Sequence, residues 1–137
     1  MQCKIHDFNE LKDYKFVVVL SRYRGKLLLS QHRLRDTWET QGGHIEKDEL
    51  PLQAAKRELY EESGAVDFDI EPIFDYWAAD ESSWANGMVF FADVRQLSAL
   101  PVSEMKTVQT FDRLPDNLTY PDITPKLFDH AREYFSM

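Results

Sequence analysis

Glu58, Glu61 and Glu62 are spaced so that, in a helix, their carboxylates project from adjoining positions of one face. Such an arrangement repels itself: at an effective dielectric near 20, two carboxylates about 6 Å apart oppose each other by roughly 3 kcal/mol. Hard oxygen ligands gathered with no matching cations on their face are what a divalent ion such as Mg²⁺ requires, substrate phosphates completing its shell. A solvated acidic face is the competing explanation, because that is the usual meaning of a charge run. The three glutamates alone do not decide between the two.

The residues around them do. Gly43, Glu49, Arg57, Glu58, Leu59, Glu61, Glu62, Gly64 and Ala65 spell G-x5-E-x7-R-E-U-x-E-E-x-G-U, where U is aliphatic. This resembles the Nudix box, with each fixed position present. The resemblance implies an α/β fold, a Nudix-type α/β/α sandwich with a central mixed sheet, and an enzyme that hydrolyses a diphosphate linkage with Mg²⁺, for which Mn²⁺ can substitute. It further implies the Gly43 carbonyl, Glu58, Glu61 and Glu62 as metal ligands, and a buried Arg57–Glu49 ion pair that orients the helix. Glu58 is expected to take the proton of the attacking water or to hold that water, with Glu61 next in line. The family often adds a carboxylate from outside the box. Of Asp80, Glu81, Glu104 and Asp112, Glu104 is chosen because it shortly precedes a strand ending at Phe111. The chain departs from the family pattern at Gln41, where proline is common before the two glycines, and the change is expected to free the backbone entering the metal loop. Ala65 is smaller than the usual aliphatic. Leu50 stands where a Ser or Thr would cap the helix, a loss of about 1 kcal/mol.

Substrate identity is less directly written. The box leaves the group attached to the diphosphate open, but the short chain is similar to the mutator-type branch, which converts nucleoside triphosphates to monophosphate and pyrophosphate. The segment Phe90-Phe-Ala-Asp-Val94 with Phe111 to Leu118 also looks similar to a Gram-positive branch acting on oxidised guanine nucleotides, which would make the role nucleotide pool sanitation. Arg22, Arg24, Lys26, His32, Arg33 and Arg35 concentrate positive charge ahead of the box. His32 and Arg24 are taken as phosphate contacts, against the alternative of a solvated hairpin edge. Asn117 is the candidate reader of a purine edge, since an amide offers both donor and acceptor, and a turn residue otherwise. Trp38 is the candidate stacking residue, with Trp77 and Trp84 behind it, and core packing is the alternative for each. ADP-ribose, nucleotide-sugar and dinucleoside-polyphosphate specificities, and a non-catalytic nucleotide-sensing module, stay open.

Several elements must position these groups. Apolar runs at 16–20 and 26–30, separated by 21–25 with its glycine, predict a hairpin. An extended piece around Trp38 leads to Gly42 and Gly43. Residues 51–63 read as a helix with Leu52, Ala55 and Leu59 as its apolar stripe, Pro51 opening it and Gly64 closing it. Further strands are expected at 66–76, 88–94 and 108–111, and a terminal helix at 126–135. With 137 residues, 43% of them apolar, and no repeat or linker, one domain spanning 1–137 is expected. A single cysteine, Cys3, and no long apolar or cleavable leader predict a soluble, cytoplasmic protein without membrane contact. The net charge of −8 argues against nucleic acid and for a small-molecule nucleotide bound through metal and a few local cations, by a monomer or homodimer.

Overall fold

Two apolar strands buried on both faces require cover on both sides, and that requirement sets the layering. The computed structural model describes residues 1–135. In chain order it contains β1 (Gln2–His6), β2 (Tyr14–Tyr23), β3 (Lys26–His32), β4 (Trp38–Glu39), β5 (Gln41–His44), α1 (Pro51–Ser63), β6 (Ala65–Ala79), β7 (Trp84–Leu97), β8 (Met105–Phe111), α2 (Thr124–His130) and α3 (Arg132–Phe135). Side chains alternate along the two central strands. Val17 and Val19 of β2, with Met88, Phe90 and Ala92 of β7, pack on Ala54, Ala55 and Leu59 of α1. Leu20 and Val89 point the other way, into a cluster with Leu127 and Phe128 of α2. The result is the expected α/β/α sandwich.

The sheet runs β1-β6-β7-β2-β3-β4, with β5 also on β2 and β8 also on β3. It is mixed: β2 and β7 pair in parallel, while their other partners run antiparallel. The edge of β2 away from β7 is shared. Its first half pairs with β5, Val17 opposite Gly43 and Val18 opposite Gly42, and its last residues pair with β3. That division lets the Gly42–Gly43 segment lie beside the helix that follows it. The predicted hairpin closes on Arg24 and Gly25, whose φ values of 54° and 76° give the two left-handed residues a tight turn needs.

Four expectations change. Strand β1, absent from the elements expected above, forms by pairing with residues 75–79 of β6, a contact between segments far apart in sequence. On α1 the inward face is Ala54, Ala55 and Leu59, while Leu52 is 40% exposed. The small alanines let the helix sit close to the sheet. The terminal helix is two pieces, α2 and α3, broken at Ala131, whose φ of −97° and ψ of 16° leave the helical range. Helix α1 also starts better than Leu50 suggested, because the Leu50 N–H donates to Gln53 Oε1 at 2.8 Å. Gly64, at φ 81°, closes it by donating its N–H to the Tyr60 carbonyl. Among the described residues no helix is long and apolar enough to cross a membrane.

Candidate functional site

The last turns of α1 meet β5 at the two glycines. The Gly42 N–H donates to Glu62 Oε1 at 2.7 Å, and Glu62 is 8% exposed. Burial pushes the Glu62 carboxyl up to about 8; the Gly42 N–H opposes the shift, and the charges of Glu58, Glu39 and Glu104 add to it. Glu58 lies against Gly43 so closely that a Cβ on that glycine would stand 2.7 Å from Glu58 Oε1 and 2.9 Å from Oε2. Its carboxyl is also raised by burial, against the pull of Arg57.

Arg57 organises the carboxylates from behind. It grips Glu49 in a fork, Nε to Oε2 at 2.8 Å and Nη2 to Oε1 at 2.9 Å, and donates through Nη1 to Glu58 Oε1 at 2.7 Å and through Nη2 to the His44 carbonyl at 3.2 Å. Glu49 is mostly buried, and those hydrogen bonds, with one from the Glu46 N–H, hold its carboxyl down to about 2. Glu61, more exposed, stands 3.6 Å from the same guanidinium. With Arg57 and Gly42 occupying these oxygens, no three carboxylate, imidazole or thiol groups among the described residues are spaced as an ion's ligands. The donor set nevertheless fits a hard divalent cation: an all-oxygen cluster whose Glu62 is raised first by burial and then by its neighbours' charge, seated on a glycine where any Cβ would displace Glu58.

Beside this cluster opens a cavity of about 410 Å³. Its polar end is lined by His32, Arg35, Glu39, Gly43, Glu62 and Glu104. His32 Nδ1 accepts the Leu34 N–H at 3.1 Å, which puts the proton of the neutral ring on Nε2, 3.7 Å from Glu104. Glu39, 7% exposed, accepts from Arg35 Nη1 at 3.1 Å and from the Thr119 hydroxyl at 2.7 Å. The other end is apolar, with Phe16, Tyr76, Tyr120, Ile123 and Leu127.

Thus Gly43, Glu62, His32 and Glu104 line one cavity, with Glu58 on Gly43 and Glu61, Arg57 and Glu49 behind. Three expected substrate contacts lie outside its lining. Arg24 sits at the hairpin tip, its guanidinium 5.0 Å from the Tyr23 ring. Trp38 packs edge-on against Phe111 at 5.0 Å, as a core residue. Asn117 acts in a turn, donating from Nδ2 to the Asp36 carbonyl at 2.9 Å while its own carbonyl accepts the Trp38 N–H. Of the other carboxylates considered, Asp80 accepts from Ser82 and Ser83 in a turn and Asp112 pairs with Lys26.

Sequence reasoning missed Glu39 and misjudged Gln41. Both are buried, Glu39 at the end of β4 and Gln41 at the start of β5, a placement that depends on strand partners distant in sequence. Far from loosening the loop, Gln41 anchors it. Its Oε1 accepts from Ser21 at 2.5 Å, and its Nε2 donates to the Leu28 carbonyl at 3.1 Å and to Ser30 Oγ at 2.9 Å. Ser30 in turn donates to the Glu62 carbonyl at 2.7 Å.

Comparison with known proteins follows the same lines. The NUDIX domain family model matches residues 12–130. YtkD of Bacillus subtilis, whose name assigns it provisionally as an 8-oxo-dGTP diphosphatase, is 33% identical over 106 residues, 77% of this chain and 66% of that protein. An RNA pyrophosphohydrolase of Francisella philomiragia is 38% identical over 56 residues, 41% of this chain and 36% of that protein. The chain thus spans less than two thirds of the length of these relatives. A crystal structure of a point mutant of the Bacillus subtilis pyrophosphohydrolase BsRppH superimposes with a TM-score of 0.82 at 26% identity, over 96% of this chain and 90% of that one.

Proposed function

The chain belongs to the Nudix family, and from that premise we propose that it hydrolyses a nucleoside triphosphate, oxidised guanine nucleotides included, to the monophosphate and pyrophosphate. The observation carrying this reading is one cavity whose carboxylate-rich end adjoins Glu58 and Glu62 and whose other end is aromatic and large enough for a nucleobase. Glu58, Glu61, Glu62 and the Gly43 carbonyl would hold Mg²⁺, with Glu104, which lines the same cavity, as the carboxylate from outside the box. The ion supplies charge neutralisation at the phosphate oxygens and a lowered pKa for bound water.

The chain's own residues do the rest. Arg57 holds Glu58 through Oε1 and leaves Oε2 to take the proton of the attacking water. Arg35, steadied by Glu39, and the Nε2–H of His32 offer positive and donor groups to the phosphates at the cavity's polar end. Glu62 and Glu39 are buried at the same end.

A second reading is the 5′-triphosphate end of RNA, favoured by the name of the Francisella relative. A net charge of −8 opposes binding along an RNA backbone, yet a chain end seated in the cavity needs only local contacts. A Mg²⁺-supported screen over normal and oxidised nucleoside triphosphates, 5′-triphosphorylated RNA, ADP-ribose, nucleotide sugars and dinucleoside polyphosphates, with product identification, separates these. Monophosphate plus pyrophosphate from a free triphosphate is expected. Absence of turnover across the panel overturns the proposal and leaves a nucleotide-sensing module.

A further inference from the structure

The apolar end of the cavity holds the hydroxyls of two buried residues with nothing to bond. Tyr76 is 4% exposed and Thr124 3% exposed, both line the cavity, and neither side chain makes a hydrogen bond among the described residues. The only side-chain oxygen sealed from solvent without a partner among those residues is Asp75 Oδ1. The Tyr76 and Thr124 hydroxyls therefore remain open, and the space they open onto is the cavity. The neighbouring buried polar side chains Ser21, Ser30, Gln41 and Glu39 are all satisfied. Two uncommitted hydroxyls in an apolar pocket are unfavourable unless something bonds them.

The ring carrying one of them is placed by a device of its own. Phe16 and Tyr76 meet edge-to-face, centroids 5.1 Å apart. Both rings lie over Gly87, where a Cβ would stand 2.4 Å from Phe16 Cε2 and 2.6 Å from Tyr76 Cε1. The missing side chain lets the two rings settle onto the sheet and leaves the cavity above them. Burial raises the Tyr76 pKa, so its hydroxyl keeps its proton and remains a donor as well as an acceptor. Asn117 has already spent its Nδ2 on the Asp36 carbonyl.

We infer that the nucleobase of the substrate lies in the apolar end of the cavity beside Phe16 and Tyr76 and is read at its edge by the Tyr76 and Thr124 hydroxyls, and that Asn117 has no part in reading it. The inference rests on the cavity being the nucleotide site. Each hydroxyl can donate to a ring nitrogen or carbonyl, or accept from an amino group, so the pair suits a planar heterocycle carrying both kinds of group.

The test uses Tyr76→Phe, Thr124→Val, the double variant and Asn117→Ala. Two quantities are measured: kcat and KM over purine and pyrimidine triphosphates, and the metal-free affinity for the corresponding monophosphates by calorimetry. Each hydroxyl deletion should raise KM and the monophosphate Kd by about 3- to 10-fold, the worth of a neutral hydrogen bond. The double variant should lose about 10- to 100-fold, and its base preference should flatten while kcat stays close to that of the parent. Asn117→Ala should keep the parent's base preference. Unchanged KM and base preference in the double variant, or a loss of kcat equal for every base, overturns the inference. If the parent hydrolyses no nucleotide, the proposed activity fails, and metal-free binding still decides: monophosphate affinity that falls in Tyr76→Phe sustains the subsite, and no binding by the parent removes it.

Discussion

Adding one methyl group to Gly42 or to Gly43 should separate folding from chemistry. At Gly42 the new Cβ would stand 2.3 Å from the Val17 carbonyl oxygen and 3.1 Å from Val18 Cα, both backbone atoms of the paired strand, at a φ of 152° that side chains disfavour. Neither partner can step aside without breaking the β2–β5 ladder. The conformation costs about 1–3 kcal/mol and the overlap about 1–3 more, so Gly42→Ala should lower the melting temperature by about 10–20 °C. At Gly43 the atoms met are the end of the Glu58 side chain, at 2.7 to 2.9 Å. A carboxylate can rotate away. Glu58 then gives up its bond to Arg57, but Arg57 keeps its fork on Glu49 and Glu58 regains solvent, so stability should change by no more than about 1 kcal/mol. Activity should not survive as well: if Glu58 holds or deprotonates the attacking water, as proposed, its displacement should depress kcat about 10²-fold or more. Metal-free melting curves and steady-state kinetics at saturating Mg²⁺ on the two variants give both numbers. A Gly43→Ala enzyme with near-parental kcat would refute the placement of Glu58 in the reaction, and one as unstable as Gly42→Ala would refute the argument that only a flexible side chain is in the way.

Three further outcomes follow from the same geometry. Arg57→Ala strands the mostly buried Glu49 carboxylate and should cost about 2–4 kcal/mol, read by denaturant unfolding, with a fall in kcat and a smaller change in apparent Mg²⁺ affinity; parental stability would mean the pair is solvated. Metal-free protein should lose the Glu62 contribution to stability as pH rises from 4.5 towards about 8, because folding raises that carboxyl, and should lose the Glu49 contribution as pH falls from 4.5 towards about 2, because folding lowers that one. Melting temperatures in chelator should therefore peak near pH 5, and Mg²⁺ at about 100 times its Kd should add about 2.7 kcal/mol and offset part of the loss on the alkaline side; a chelator profile that rises from pH 5 to 8 would contradict the raised Glu62. Gln41→Leu leaves the Ser21 and Ser30 hydroxyls short of a buried partner and should cost about 2–4 kcal/mol, measured by thermal melting, whereas an unchanged melting temperature would show that the network is dispensable.

The carboxylate cluster was legible in the sequence and the cavity beside it was not, and the physical reason is the range of the contacts. Glu58, Glu61 and Glu62 belong to one helix, and Arg57 reaches Glu49 within eight residues, so spacing alone carries the carboxylate cluster. Local logic also found the α1 limits and the hairpin, and it failed where a distant partner decides. Strand β1 exists because residues 75–79 offer it an edge. Gln41 read as a loosened loop because its partners, Ser21, Leu28 and Ser30, lie on two other strands. Asn117 and Trp38 have the residue types of nucleotide contacts, yet each is taken up by a neighbour, the Asp36 carbonyl and the Phe111 ring. Tyr76 drew no notice in the middle of a strand, and only the absence of a side chain at Gly87 and the arrival of Phe16 from β2 make it a cavity wall. The cavity's apolar end is assembled from β2, β6 and the approach to α2, segments 40 or more residues apart. A pocket assembled this way can be rebuilt by substitutions that leave the box untouched, which is why the box carries the carboxylate cluster and is silent about what the cavity beyond it accepts.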